Sequence, residues 1–127
     1  MIDHISIAVR DLAVAARFYE PVLAALGMTK LREWPDAAIG FGKDYPEFWL
    51  NKRSHMAKVA EDSGTHICLR ARERSAVEAF YAAALAGGGA SDGAPGFRKH
   101  YSESYYAAFI RDPDGNRIEA VTFIPPK

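Results

Sequence analysis

Two histidines and one glutamate stand where their side chains could bind a metal ion together. His4 and His66 begin two short segments, HISIAV and HICLRA, in which apolar residues alternate as in a β-strand. Glu119 lies in a third such segment, RIEAVTFI. Two imidazoles and one carboxylate, with other coordination positions open, suit Fe(II), Mn(II), Ni(II) or Zn(II). These residues indicate one divalent metal ion but do not select among the four.

An internal repeat relates the two histidines. His66 follows His4 by 62 positions, and the same offset separates four further identical pairs: Phe18 and Phe80, Tyr19 and Tyr81, Leu23 and Leu85, Gly27 and Gly89. Five identities at one offset indicate two copies of a β-α-β-β-β unit. Near the end of the chain the offset becomes 70, which aligns Ala108 with Ala38, Ile118 with Phe48 and Glu119 with Trp49.

The elements that must position these residues follow from the same pattern. We predict strands at residues 4–9, 28–34, 38–42 and 48–52, and again at 65–71, 105–111 and 117–124. The first helix follows the N-cap Asp11 and ends at Gly27. Pro21 removes a backbone donor inside it, which predicts a kink or a break near Glu20.

The second half contains a helix and a longer connection. Ser75 and Glu78 have the spacing of a capping box, and the glycines at 87–89 end the helix. Residues 90–96, rich in Gly, Ala, Ser and Pro, are predicted to form a loop. The chain therefore reads as one α+β domain, with module 1 at residues 1–55 and module 2 at residues 63–127.

The composition is typical of one soluble domain with a small-molecule partner. The 127 residues are 49% hydrophobic and 25% charged, with 16 basic and 16 acidic side chains. A net charge of zero lacks the electrostatic footprint needed for nucleic acid or an anionic membrane. Only Cys68 carries a thiol, and no signal peptide or apolar run of about 18 to 20 residues is present. We therefore expect a cytoplasmic protein that neither binds nucleic acid nor enters a membrane.

A second set of candidate residues lies at 98–106, RKHYSESYY, where the second half has eight residues more than the first. Basic and phenolic groups concentrated beside the expected site predict a substrate lid, with Lys99 and Tyr105 binding substrate. His100 or Tyr101 could supply an acid–base group there. A solvated loop with aromatic anchors explains the segment equally well.

The sequence resembles the vicinal oxygen chelate superfamily, which includes glyoxalase I, extradiol dioxygenases, fosfomycin-resistance thiol transferases and bleomycin-resistance proteins. The resemblance lies in DHISIAVRDL, FYxxVLxxLG, GTHICL and AAFIRDPDGNRIEAV, and covers nearly the whole chain. It implies two βαβββ modules in tandem, forming a cupped, mostly antiparallel eight-stranded surface with helices outside. It also implies a divalent metal held by His4, His66 and Glu119, which stabilises an enolate or oxyanion as a Lewis acid. The family forms such sites within one chain or across a dimer, and we expect a homodimer.

The resemblance leaves several functions open. Trp49 stands where glyoxalase I has a glutamate that acts as ligand and base, and an indole can do neither. We therefore expect Trp49 to form a substrate-binding wall in a glyoxalase-like enzyme of lyase, isomerase or dioxygenase type. One alternative is a fosfomycin-type thiol transferase, which resembles this chain in its aromatic residue at the Trp49 position and its ending DPDGxRxEA. The other is a non-catalytic, antibiotic-type binding protein, with a cup lined by aromatic residues such as Trp34, Trp49, Tyr101 and Tyr105.

Overall fold

The computed structural model describes residues 1–126 and contains, within them, eight strands and two helices. In chain order these are β1 (Ile5–Val9), α1 (Leu12–Ala24), β2 (Thr29–Trp34), β3 (Ala38–Gly42), β4 (Phe48–Lys52), β5 (Ile67–Arg70), α2 (Arg74–Ala86), β6 (Ala90–Phe97), β7 (Tyr105–Arg111) and β8 (Arg117–Phe123). The predicted α+β class is confirmed. Lys127, the last residue of the predicted second module, lies outside the described residues. Neither helix has the length and apolar character that a membrane-spanning segment in residues 1–126 would need.

Each half of the chain builds its own four-stranded mixed sheet. The strand orders are β1-β4-β3-β2 and β5-β8-β7-β6, so the two sheets have the same topology. In the first sheet β1 is parallel to β4, and in the second β5 is parallel to β8. All other neighbouring strands are antiparallel. The repeat predicted from the sequence is therefore a repeat of topology as well.

The strand pairing fixes which positions of the two sheets correspond. Trp49 lies between Ser6 and Gly40, and Glu119 occupies the same place between Cys68 and Phe109. The predicted equivalence of Trp49 and Glu119 is thus consistent with the register.

The predicted alignment of β3 with β7, at an offset of 70, is wrong by one residue. Ala38 corresponds to Ala107 in the register of the sheets, not to Ala108. The physical reason is the length of the turn. Six residues separate the paired positions Phe41 and Phe48, whereas seven separate Ile110 and Ile118.

The first helix is continuous, so the predicted break near Glu20 is wrong. The Asp11 side chain accepts a hydrogen bond from the Val14 backbone N–H at 3.0 Å, as expected of an N-cap. The helix then runs through Pro21 to Ala24. Proline costs one backbone hydrogen bond here, and the fully buried Val22 and Leu23 hold the last turn against the core.

The predicted capping box of the second helix is also wrong. The helix begins one residue before Ser75, and its N-cap Glu73 makes no side-chain cap bond. Glu78 instead accepts hydrogen bonds from Arg74 Nε at 3.1 Å and from the Tyr106 hydroxyl at 2.7 Å. A tertiary contact with β7 therefore replaces the local capping contact.

Residues predicted to form a loop at 90–96 belong to β6. Within residues 1–126 this strand pairs with β7 alone and lies at the sheet edge. Its register shifts twice, between Ser91 and Gly93 and between Gly93 and Gly96. Glycine and proline are tolerated at edge strands and bulges, which is why a turn-like composition forms a strand here.

A buried cluster of hydrogen bonds, here called the junction, joins the two halves. Its centre is the Asp112 carboxylate, which accepts from the Tyr19 hydroxyl at 2.6 Å and from Asn116 Nδ2 at 2.9 Å. Asn116 Nδ2 also donates to the Ala8 carbonyl at 2.9 Å. Burial raises the pKa of Asp112, although the hydrogen bonds from Tyr19 and Asn116 oppose the rise. The turn between β7 and β8 is therefore fixed to the first module by side chains.

Replacing Tyr19 with phenylalanine should lower the free energy of unfolding by about 1–2 kcal/mol, because a buried donor to Asp112 is lost. Chemical denaturation would measure the change. Tyr81→Phe, at the repeat-related position, is the matched control and should change stability by about 0.5 kcal/mol or less. Equal effects of the two substitutions would contradict the role given to the Tyr19 hydroxyl.

Candidate metal centre

A buried carboxylate lies on the helix-free face of the second sheet. Strand alternation directs Ile118 and Ala120 into the core and Glu119 to the opposite face. Glu119 is nevertheless only 2% exposed. His66 Nε2 lies 3.0 Å from its Oε1, and the Tyr105 hydroxyl donates to its Oε2 at 2.5 Å. Each carboxylate oxygen thus has one donor, as a buried charge requires.

A thiol completes the surroundings of the carboxylate. Cys68, paired with Glu119 across the strands, has its Sγ 4.0 Å from the Tyr105 hydroxyl. Loss of solvation, and then the charge of Glu119, raise the pKa of Cys68 to about 12. Loss of solvation and the hydrogen bond to Glu119 also raise the pKa of Tyr105. Both groups are therefore protonated near neutral pH, and Tyr105 serves as a donor.

His66 is accessible beside this cluster. Its side chain is 49% exposed and faces a cavity of about 210 Å³. The cavity is lined by Ser63, Gly64, Thr65, His66, Asp92, Phe109, Arg117 and Ile118. Arg117 donates to the Ser63 carbonyl at 2.8 Å and to the Glu61 carbonyl, which ties the segment before His66 to β8. A small molecule could reach the imidazole from this side.

The segment predicted to be a lid contacts the same cluster through its aromatic rings. The Tyr101 ring lies 5.0 Å from that of Tyr105, and the His100 ring lies 4.2 Å from that of Tyr101. Lys99 is exposed in the same turn. Of these residues, Tyr105 contacts Glu119 directly. Tyr101 packs against Tyr105, and His100 packs against Tyr101. Their roles toward a substrate stay predictions.

His4 lies apart from this cluster, immediately before β1 in the first module. Its Nδ1 is 2.7 Å from Asp3 Oδ1, and the Tyr45 hydroxyl donates to Asp3 Oδ2 at 2.8 Å. These hydrogen bonds lower the pKa of Asp3, that from His4 most. Within residues 1–126, no three side chains of His, Cys, Asp or Glu converge on one point. The structure therefore joins His66 with Glu119, but it does not bring His4 to them.

Trp49 lies on the helix-free face of the first sheet. Its neighbours Phe48 and Leu50 are buried in the core, so its indole points to the opposite side. The ring packs edge-on against Trp34, with centroids 6.2 Å apart, and Trp34 is 60% exposed. A Cβ atom added to Gly40 would lie 3.0 Å from two indole carbons, so the ring rests on bare backbone. The first module thus presents an indole pair where the second presents a carboxylate.

Sequence reasoning missed three side chains at these two clusters. Cys68 could have been found by alternation, because it shares its face with His66 two positions earlier. Asp3 directly precedes His4 and is a natural partner for its ring. Tyr45 reaches Asp3 from a turn 42 residues away, and no local pattern indicates that contact.

The comparisons with known proteins agree with this architecture. The family described as Glyoxalase/Bleomycin resistance protein/Dioxygenase superfamily matches residues 1–120. A glyoxalase/bleomycin resistance protein from Albidiferax ferrireducens T118 is 28% identical, with a TM-score of 0.82, over 95% of this chain and 98% of that one. No curated protein matches the chain.

Two more distant structures share the fold. Lactoylglutathione lyase from Agrobacterium tumefaciens is 19% identical, with a TM-score of 0.65, over 95% of this chain and 92% of that one. The fosfomycin resistance protein FosX from Listeria monocytogenes is 14% identical, with a TM-score of 0.71, over 98% and 90% of the two chains. Since the family match spans nearly the whole sequence, the chain belongs to the Glyoxalase/Bleomycin resistance protein/Dioxygenase superfamily.

Proposed function

We propose that the protein is a divalent-metal-dependent enzyme that converts a small oxygenated molecule by stabilising negative charge on its oxygens. The observation that carries this proposal is the Glu119 carboxylate, which is buried yet hydrogen-bonded to the exposed imidazole of His66. Burying a carboxylate is costly, and its partner His66 links this one to an open cavity that a small molecule could enter. The reaction would be of the glyoxalase or dioxygenase type found in the superfamily.

The donor atoms of this pair fit a divalent ion. An imidazole nitrogen and a carboxylate oxygen are ligands that Mn(II), Fe(II), Ni(II) and Zn(II) all accept. His66 and Glu119 would hold the ion, with His4 as a third ligand. The Listeria FosX structure contains Mn(II) and 1S,2S-dihydroxypropylphosphonic acid, which supports a metal in this fold. When bound, the ion would supply Lewis-acid stabilisation of an enolate or oxyanion.

The remaining side chains would orient the substrate and move protons. Tyr105 keeps Glu119 in place through its hydrogen bond to Oε2. Trp49 cannot accept a proton, so a base must come from another residue, for which we propose His100 or Tyr101. Trp49, Lys99 and Tyr105 would line the substrate site. We assign the reaction to the cytoplasm because Cys68 is a free cysteine, as reducing compartments favour.

We further propose that the third ligand comes from a second copy of the chain. His4 belongs to the first module, and His66 and Glu119 belong to the second. The imidazole of His4 is about half exposed, so a neighbouring chain could reach it. In a two-fold dimer each interface contact occurs twice, so one exchange of His4 would complete two sites.

A second candidate function is non-catalytic binding of a small antibiotic-type molecule. The indole pair of Trp34 and Trp49 favours it, because exposed aromatic rings can bind apolar ligands without chemistry. A fosfomycin-type thiol transferase stays a third possibility. Metal content and metal affinity separate binding from the metal-dependent reactions.

Replacing Glu119 with glutamine should weaken the binding of Mn(II) or Zn(II) at least tenfold, because the ligand loses its charge but keeps its shape. Isothermal titration would measure the affinity. The control Glu73→Gln removes a charge from an exposed residue of the same module, outside the segment at 98–106, and should leave the affinity unchanged. Equal affinities of Glu119→Gln and wild type would argue against the metal centre.

Mixing two inactive variants tests whether the site is shared between copies. His4→Ala and Glu119→Gln each disable every site of their own homodimer. A mixed dimer has one intact site, so random exchange should restore metal binding at about a quarter of the sites. No recovery after complete subunit exchange, confirmed with tagged chains, would show that each site uses a single chain.

Replacing Gly40 with alanine should displace the Trp49 ring, because the new Cβ would lie 3.0 Å from the indole and 2.9 Å from Pro46 Cβ. Near-UV circular dichroism and tryptophan fluorescence would report the movement. Gly64→Ala is the control for these two spectra only, since a Cβ there meets no atom within 4 Å. If the protein is a binder rather than an enzyme, Gly40→Ala should weaken ligand binding while metal has no effect on it.

A further inference from the structure

The imidazole of His4 is held by a carboxylate that lies beside it in the sequence. Asp3 Oδ1 is 2.7 Å from His4 Nδ1. An ionised carboxylate can only accept a hydrogen bond, so Nδ1 carries the proton of this contact. In a neutral ring the other nitrogen, Nε2, then has a free lone pair. The contact therefore selects the tautomer that can bind a metal through Nε2.

Tyr45 holds this carboxylate in turn. The residue comes from the turn between β3 and β4, and its hydroxyl donates to Asp3 Oδ2 at 2.8 Å. The same hydroxyl lies 3.3 Å from the Asp3 backbone carbonyl. Both carboxylate oxygens of Asp3 thus have a partner, one from His4 and one from Tyr45. The N-terminal segment is tied to a turn of the first module in the same way.

The contact between Asp3 and His4 is too exposed to be explained by a contribution to stability alone. The side chains of Asp3 and His4 are 68% and 53% exposed. Hydrogen-bonded ion pairs at such positions contribute little to the free energy of unfolding. Metal-binding histidines, in contrast, commonly donate their second N–H to a carboxylate, which fixes ring orientation and raises ligand basicity.

We infer that Asp3 and Tyr45 are positioning residues that orient His4 to bind a divalent ion through Nε2. This inference rests on the proposed function for the presence of the ion, but the orientation of the ring does not. His66 also directs Nε2 toward its partner, Glu119 Oε1 at 3.0 Å. By the same rule that Nε2 carries the proton of its contact, so His66 would have to release this proton to bind an ion, whereas the Nε2 of His4 is already free. Asp3 supports a ligand, whereas Glu119 would itself be one.

The first part of the test needs no metal. Long-range ¹H–¹⁵N spectra distinguish the two imidazole tautomers, recorded in metal-free protein at a pH where His4 is neutral. Wild type should show His4 protonated on Nδ1. Asp3→Ala should move the proton largely to Nε2, and Tyr45→Phe should give a mixture. A wild-type ring protonated on Nε2, or no change in Asp3→Ala, would overturn the inference.

The second part measures affinity for Mn(II) and Zn(II) by titration calorimetry. Asp3→Ala should weaken binding about 10- to 100-fold, as loss of such supporting carboxylates commonly does, with unfolding midpoints unchanged. Asp3→Asn keeps an acceptor oxygen and should lose less. Asp44→Ala removes an equal charge from the exposed neighbour of Tyr45 and should bind like wild type.

The outcomes separate the two proposals. An Asp3→Ala variant that binds as tightly as wild type would overturn the inference and leave the metal centre standing. A wild-type protein that binds neither ion would overturn the proposed function, and with it the coordination by His4, whichever tautomer the spectra show.

Discussion

The Asp112 carboxylate is the contact on which the candidate site depends. It holds the turn that begins after β7 and, through Tyr19 and Asn116, fastens this turn to the first module. The turn sets the register of β8 against β7. A shift of one residue would direct Glu119 into the core and Ile118 to the open face, because side chains alternate along a strand. The junction thus determines both how the modules meet and where the carboxylate points.

The two modules use one backbone arrangement for different chemistry. The positions of Ser6, Trp49 and Gly40 in the first sheet correspond to those of Cys68, Glu119 and Phe109 in the second. The bulky ring is Trp49 on β4 in the first sheet, and Phe109 on β7 in the second. A bare glycine leaves room for the indole, while Phe109 flanks a carboxylate and an imidazole. The two modules therefore present equivalent faces with different chemistry, one apolar and one ionisable.

The parts of the structure that depend on local patterns could be predicted, and those that depend on distant contacts could not. Alternation and turn residues gave β3, β4 and β7 their correct bounds. The capping box failed because Glu78 bonds to Tyr106, far away in sequence. The repeat pointed to His66 and Glu119, which do meet. Tyr45 could not be foreseen, because only the folded β3–β4 turn brings its hydroxyl to Asp3.

The two histidines are prepared for an ion in opposite ways. The Nε2 of His66 is engaged with Glu119, so an ion between the two groups must replace a hydrogen bond to a buried charge, worth about 1.5–3 kcal/mol. His4 is bonded at Nδ1, so its coordinating nitrogen is already free and no contact must break. Ion binding would therefore reorganise the second module and leave the first unchanged. Glu119 would keep its hydrogen bond from Tyr105 throughout, because that bond uses the other carboxylate oxygen.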